Sequence, residues 1–171
     1  MSPLVTMGTF FTCCVTEEQQ KLLELNYKTA PEFSLNGLTL LCKIVDCYDG
    51  DTVTAAVLLN GQPVSFRCRL FGIDAPEMKN STKAEAIAAR NALVSMCSSV
   101  PFADSIATRD EVRTHLENHK KLMKIECGDW DKYGRLIVTL KCNDGNFRIV
   151  SCNQGMIDGG FAKAYFGGTK I

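Results

Sequence analysis

From Leu35 onward, short segments of alternating apolar and polar residues are separated by the turn dipeptides Asn36-Gly37, Asp49-Gly50, Asn60-Gly61 and Asp144-Gly145. Alternation with a period of two is the mark of half-buried strands. Residues 38–48, 52–59 and 64–73 read as three consecutive strands, the last two joined across Asn60-Gly61-Gln62-Pro63. The period then changes. Residues 83–100 place Ala86, Ala89, Leu93, Met96 and Cys97 at helical spacing in a run rich in Ala, Glu, Leu and Met, and Pro101 stops it; this predicts an amphipathic helix. Residues 104–121 predict a second, more polar helix. Residues 124–127 and 136–142 predict two further strands on either side of a turn region, 128–135, that contains Trp130. Residues 151–158 predict a short helix stopped at Gly159-Gly160. Three strands, a helix, two strands and a helix point to a mainly β, α+β domain built on a five-stranded Greek-key barrel, not to a parallel doubly wound sheet.

The first 34 residues do not share this pattern. They comprise an uncharged start, a short helix predicted over residues 16–26 with Thr16 as N-cap, and a linker over 27–34. The expected division is therefore an appendage, 1–34, and a barrel domain, 35–171, carrying a helical insertion at about 104–121. A chain of 171 residues with 46% hydrophobic and 22% charged residues buries one core, which excludes global disorder. Nineteen basic residues balance nineteen acidic ones, so any polyanion must be held locally and not by a bulk cationic field. No apolar run reaches the roughly 18 to 20 residues of a membrane-spanning helix. The nine cysteines include no C-x-x-C pair, so zinc-ribbon and thioredoxin-type readings lack support and a reducing, intracellular, cytoplasmic setting is expected. Residues 1–16 carry no basic residue before their apolar stretch and no A-x-A-like cleavage site, which argues against a secretory leader.

Candidate chemistry sits at the ends of the predicted strands. Asp49-Gly50-Asp51-Thr52 separates the first two, and residues two apart in an extended chain project together, so Asp49 and Asp51 share a side. Glycine there permits a tight turn. The third strand carries Phe66, Cys68 and Leu70 on one face and Arg67 and Arg69 on the other, then leads into Ile73-Asp74-Ala75-Pro76-Glu77. Asp131-Lys132-Tyr133-Gly134-Arg135 reads as a hairpin turn with exposed charges. Each segment by itself also has a plain structural reading: turn punctuation, a solvated strand face, a strand cap.

Their joint order changes that. D-G-D-T-V, then R-x-R-L-x-G-I-D-A-P-E, then D-K-Y-G-R resembles the staphylococcal nuclease-like (thermonuclease) family over about residues 38–165. The resemblance implies a barrel of the oligonucleotide-binding type that holds a calcium ion and cleaves phosphodiester bonds of DNA and RNA. It implies Asp51 and Asp74 as metal carboxylates, the main-chain carbonyl of Ala75 as a further ligand, and Asp49 close by. Glu77 would hold or deprotonate the attacking water, Arg69 and Arg135 would clamp the phosphate, and Lys132, Tyr133 and Tyr165 would contact the nucleotide, single-stranded DNA or RNA being favoured. The residue types suit that chemistry. Calcium is a hard cation that takes oxygen ligands and leaves positions for water and substrate, and guanidinium forks accept charge developing on phosphate oxygens through paired hydrogen bonds. The chain departs from the family pattern in having Ala75 where threonine is usual, a short segment after Glu77 without a lysine-rich loop, the insertion at 104–121, and no counterpart of the final helix after Tyr165. The rival expectation is a non-catalytic nucleic-acid-binding module of the same family; a third is an interaction protein working through the inserted helix.

Other features carry less. His115 and His119, four apart, have the spacing of a zinc pair but no partner ligand in the pattern, and are expected on a solvated helix face. Trp130 suits rim packing or base stacking, and Cys47, Cys68 and Cys142 suit inert packing in strands. Met7-Gly8-Thr9-Phe10-Phe11-Thr12 matches an acylation pattern, with Gly8 as acceptor if translation starts at Met7, and Cys13-Cys14 follow where palmitoyl groups are added. Some members of the family are similar in carrying a doubly acylated N-terminus, which would recruit the chain to a membrane surface. If Met1 is the start, Gly8 is internal.

Overall fold

The computed structural model describes residues 15–102, 108–143 and 148–166, and the chain divides into two compact units, Met1–Phe33 and Ser34–Ile171. In the first, helix α1 (Glu17–Glu24) starts as expected at Thr16. The Thr16 hydroxyl accepts from the Gln19 N–H at 3.2 Å and the Gln19 side chain accepts from the Thr16 N–H at 2.9 Å, a capping box that satisfies two of the open donors of the first turn. Among the described residues, no helix is long and apolar enough to cross a membrane.

The second unit is a closed five-stranded barrel with, among the described residues, three helices. Its staves are β1 (Thr39–Cys47), β2 (Thr52–Leu59), β3 (Gln62–Leu70), β5 (Leu122–Trp130) and β6 (Leu136–Asn143). They run β3-β2-β1-β5-β6, and parallel pairing of β3 with β6, from Cys68 opposite Leu136 to Leu70 opposite Val138, closes the ring. Alternate positions face inward: Cys42 and Ile44, Val53 and Ala55, Cys68 and Leu70, Met123 and Ile125, Val138 and Leu140 are all buried. The remaining strands are short: β4 (Ile73–Asp74) pairs with β8 (Lys163–Ala164), and β7 (Ile149–Ser151) lies against β6. Helix α2 (Lys83–Ser98) buries Ala86, Ala89, Leu93, Val94 and Cys97 and ends at Ser99 in the left-handed region, two residues before Pro101. Helix α4 (Cys152–Asp158) starts at the Ser151 cap and buries Cys152 and Met156.

Several expectations are revised. The β2–β3 connection is a two-residue turn, Asn60-Gly61, both with positive φ, and Gln62 and Pro63 already belong to β3. Such a turn matches the twist of the flanking strands. The expected third strand, 64–73, breaks at Gly72 (φ 75°), and Ile73-Asp74 turns away to pair with β8. Trp130 is not in a turn. It pairs with Leu136 at the end of β5, beyond a register shift after Cys127, and meets the Phe66 ring edge-on at 5.9 Å.

The inserted helix is shorter than expected. Helix α3 (Arg109–Asn118) opens at Thr108, whose hydroxyl accepts from Glu111, and it sinks Val112 and Leu116 into the core. It is therefore part of the barrel's packing and not a detachable appendage. Nor are its histidines on a free solvated face: both are part-buried, their rings lie 4.2 Å apart, and His115 Nε2 is 3.0 Å from Ser98 Oγ.

Gly50 also differs in its reason. Its φ is not positive; instead, a Cβ there would lie 2.7 Å from the Cβ atoms of both Ala75 and Ala89. The residue lets the β1–β2 turn lie flat on α2 and on the segment after β4. Because both neighbours are backbone-anchored methyl groups, Gly50→Ala should destabilise the domain by about 1–3 kcal/mol, the usual penalty of overpacking. Urea unfolding of the variant beside the parent protein measures it, and an unchanged midpoint would refute this account of Gly50.

Candidate active site

Three sequence-distant segments meet at one end of the barrel. Asp51 closes the β1–β2 turn, where its N–H donates to Asp49 Oδ1 at 3.1 Å and its carbonyl accepts from the Leu70 N–H at 2.8 Å. Its side chain faces inward and is fully engaged. Oδ1 accepts from the Thr52 hydroxyl at 3.0 Å, Oδ2 accepts from the Ala75 N–H at 2.9 Å, and Oδ2 is also ion-paired with Arg69. Arg69, near the end of β3, donates through Nη2 to the Ile73 carbonyl at 2.9 Å and to Asp74 Oδ1 at 3.2 Å. Of the two arginines expected on a solvated face, Arg67 is exposed, but the Arg69 side chain is only 17% exposed.

The third segment is the β5–β6 hairpin. Asp131 accepts from the main-chain N–H groups of Tyr133 and Arg135, both at 2.9 Å, and from Arg135 Nε at 2.7 Å. This fixes the guanidinium, whose Nη1 donates to Thr52 Oγ1 at 3.4 Å and whose Cζ lies 5.3 Å from the centre of the Tyr133 ring. Thr52 therefore links the two arginine-bearing segments, through Asp51 on one side and Arg135 on the other.

Asp49, Asp51, Arg69, Asp74, Glu77, Lys132, Tyr133, Arg135 and Tyr165 all line one open cavity of about 610 Å³. Tyr165 is brought there by its N–H, which donates to the Gly72 carbonyl at 2.8 Å. Ala75 is buried and lines a neighbouring cavity of about 450 Å³ that shares Asp74. Gly8, Cys13 and Cys14, the Asp144-Gly145 dipeptide and the start of the expected insertion at Asp104 lie outside the described residues. Sequence reasoning missed three participants: Tyr48, which lines the cavity with the Arg109 guanidinium 5.2 Å from its ring; Lys79, ion-paired with Glu77; and Thr52 as the bridging hydroxyl. Only Thr52 had a sequence cue, its place beside Asp51 in the D-G-D-T run.

Burial and charge act unevenly on these groups. Burial raises the Asp49 carboxyl above its ordinary range, against the pull of hydrogen bonds with Thr52 and of the Arg69 and Arg135 charges. Burial likewise lowers Arg69 from the usual guanidinium value, while Asp74 works in the other direction. At Asp131 burial pushes upward, but hydrogen bonds from the Arg135 main chain and side chain outweigh it and hold the carboxyl below its usual range.

The donor chemistry suits a hard cation. Four carboxylates line the cavity, and Asp51 and Asp74, from separate segments, both turn an oxygen to a single positive group. Among the described residues no cluster of three or more His, Cys, Asp or Glu side chains is close enough to hold a metal by itself. Main chain, water or substrate would have to complete such a shell.

The family model described as staphylococcal nuclease homologue matches residues 67–170, more than half of the chain. The chain belongs to that family. Arg69, Asp74, Glu77, Arg135 and Tyr165 fall inside the match, whereas Asp49 and Asp51 precede it. None of the curated proteins compared with the chain matches it.

The lowered Asp131 carboxyl has a consequence for acid stability. The unfolded state takes up the proton first as pH falls, so the contribution of Asp131 is fully present above the unfolded carboxyl value of about 4 and is lost as pH drops through the lower folded value. Asp131→Asn should therefore be less stable than the parent at pH 6, with the gap narrowing toward pH 3. Urea midpoints across that range test it, and a constant gap would show that the carboxylate charge plays no part.

Proposed function

We propose that this member of the staphylococcal nuclease family is a calcium-dependent nuclease that hydrolyses phosphodiester bonds of single-stranded DNA or RNA with little sequence preference. What carries the reading is the meeting of Asp51, Arg69, Asp74, Glu77 and Arg135 on one cavity, in a domain of a nuclease family. A module that only bound nucleic acid would have no use for that full set, so the non-catalytic alternative is not favoured.

Calcium would be held by Asp51, Asp74 and the Ala75 carbonyl with Asp49 nearby, and when bound it would offset the charge of the phosphate. Arg69 and Arg135 grip the non-bridging phosphate oxygens and take up the charge that builds as phosphorus is attacked. Arg135 is ready for this because Asp131 and Thr52 have already fixed its direction. Glu77, which lines the cavity, orients the attacking water and removes its proton as the P–O bond forms; its surface ion pair with Lys79 is of a kind worth little and easily exchanged. Lys132 contacts the strand's backbone, and Tyr133 and Tyr165 offer ring faces to the sugar and base. With zero net charge and few local contacts, affinity is modest and salt-sensitive.

Digestion of labelled single-stranded DNA and RNA with calcium, with magnesium and with chelator tests the proposal. We expect calcium-supported cleavage abolished by chelation. Arg69→Lys, Arg135→Lys and Glu77→Gln should each lower turnover by about 10² to 10³, the usual cost of losing one preorganised charged group. Cleavage indifferent to chelator, or near-normal turnover of Arg135→Lys, would overturn the assignment.

We further infer an intracellular, cytoplasmic protein that is recruited to membrane surfaces when translation begins at Met7, with Gly8 myristoylated and Cys13 and Cys14 palmitoylated. Intact-mass measurement of protein made in eukaryotic cells should show the added acyl masses on a chain starting at Gly8. An unmodified N-terminus refutes the anchoring.

A further inference from the structure

No two of the seven described cysteines are joined in a disulfide, and most are sealed in the core: Cys42, Cys47, Cys68, Cys97, Cys127 and Cys152 are buried. Cys142 alone among them is partly exposed. It sits on β6, one register step along from the Lys141–Ser151 pair, and Cys152 follows directly on β7. The two sulfurs are in contact at 3.7 Å, with the Cys152 thiol donating to Cys142. Ordinary cysteine packing in a barrel requires neither this contact nor access to solvent.

Both conditions for oxidation are met at this pair and at no other described one. Cys142 lines an open groove of about 600 Å³ together with Ser95, Met96, Pro101 and Lys121. The Lys121 ammonium is fixed on the same groove by donating to the Met96 carbonyl at 2.9 Å. Cys152, by contrast, is 2% exposed, and its hydrogen bond to Cys142, followed by burial, pushes its thiol well above the ordinary value. One sulfur is thus placed to meet an oxidant and the other to stand behind it. The remaining close pair, Cys47 and Cys97, is 0% and 2% exposed and has no such access.

We propose that Cys142 and Cys152 form an oxidisable thiol pair, with Cys142 reacting with a hydroperoxide and Cys152 resolving the product to an intramolecular disulfide. In the first step the peroxide O–O bond breaks, one oxygen joins the Cys142 sulfur as sulfenic acid, and the rest of the peroxide leaves as alcohol or water. In the second the Cys152 sulfur attacks that of Cys142, the S–O bond breaks, and the departing hydroxide takes the Cys152 proton to leave as water. The two thiols lose two electrons in all and the peroxide gains two. Bond formation draws the sulfurs from 3.7 Å to the disulfide length of about 2.05 Å. The step is independent of the proposed nuclease activity.

The test uses the full chain. Protein is exposed natively to an equimolar amount of hydrogen peroxide, alkylated under denaturing conditions and digested with trypsin. Cys142 and Cys152 fall on separate tryptic peptides, residues 142–148 and 149–163, each with one cysteine. We expect these two peptides to be recovered joined by a disulfide and to separate on reduction. In Cys152→Ser, a sulfenic-acid probe should label Cys142, while in Cys142→Ser residue 152 should remain a free thiol. Recovery of both parent peptides fully alkylated while cysteines elsewhere are oxidised, or a Cys47–Cys97 bridge in their place, would overturn the proposal without reference to either variant.

Discussion

The site depends on the guanidinium of Arg69. It lies at 17% exposure between carboxylates supplied by two separate stretches of chain, Asp51 from the β1–β2 turn and Asp74 from β4, and it also holds the Ile73 carbonyl. Removing one member of such a partly buried set leaves charge unpaired, a loss that in buried pairs reaches about 3–5 kcal/mol. Asp51 doubles the connection by accepting the Ala75 N–H. The turn, the end of β3 and the short β4 are thus tied to one another by charge before any substrate is considered. Gly50 makes the approach possible from beneath, since only a residue without Cβ fits against Ala75 and Ala89.

Strand register does the rest of the positioning. Thr52 is the register partner of Arg69 across β2 and β3, and closure of the barrel sets Cys68 opposite Leu136, one residue past Arg135. The bridging hydroxyl on β2, Arg69 on β3 and Arg135 in the turn that leads into β6 therefore occupy neighbouring places at one end of the barrel. A slip of one residue in the β3–β6 pairing would turn Arg69 toward the core and Leu70 toward solvent, because side chains alternate in direction along a strand. The buried Cys68, Leu70, Leu136 and Val138 oppose that slip. Core packing and site geometry are consequently one constraint at this end of the barrel.

What was legible in the sequence was whatever repeats locally. The alternation in β1 to β3 and in β6, the amphipathic α2 and the Thr16 cap all rest on neighbours within a few residues, and their boundaries agree with the structure to within a few positions. The charged motifs were visible as ordered strings, yet their meeting on one cavity depends on the ring closing between β3 and β6, which no local pattern reveals. The two-residue β4 and β8 have no period to read and exist only because each finds the other far along the chain, Ile73 opposite Ala164 and Asp74 opposite Lys163. Helix α3 looked polar because eight of its ten residues are; the two that matter, Val112 and Leu116, are one helical turn apart and face the core. Trp130 was misplaced because the register shift after Cys127 hides the continuation of β5.

Charge balance in the cavity bears on how the proposed reaction would be controlled. Four carboxylates, Asp49, Asp51, Asp74 and Glu77, face four cations, Arg69, Lys79, Lys132 and Arg135. Arg69 is committed to Asp51 and Asp74, and Arg135 to Asp131, so the charge of each guanidinium is already answered within the domain. Under the proposed reading, Asp51 and Asp74 would have to share between Arg69 and a divalent cation the oxygens that pair with the guanidinium. Arg69 would then have part of its hydrogen-bonding capacity free for a phosphate oxygen. Arginine suits this exchange better than lysine, because its planar fork can keep one edge on the Ile73 carbonyl while the other turns to a phosphate oxygen. The same ion pairs that hold this end of the barrel together would then set the dependence of substrate binding on the metal.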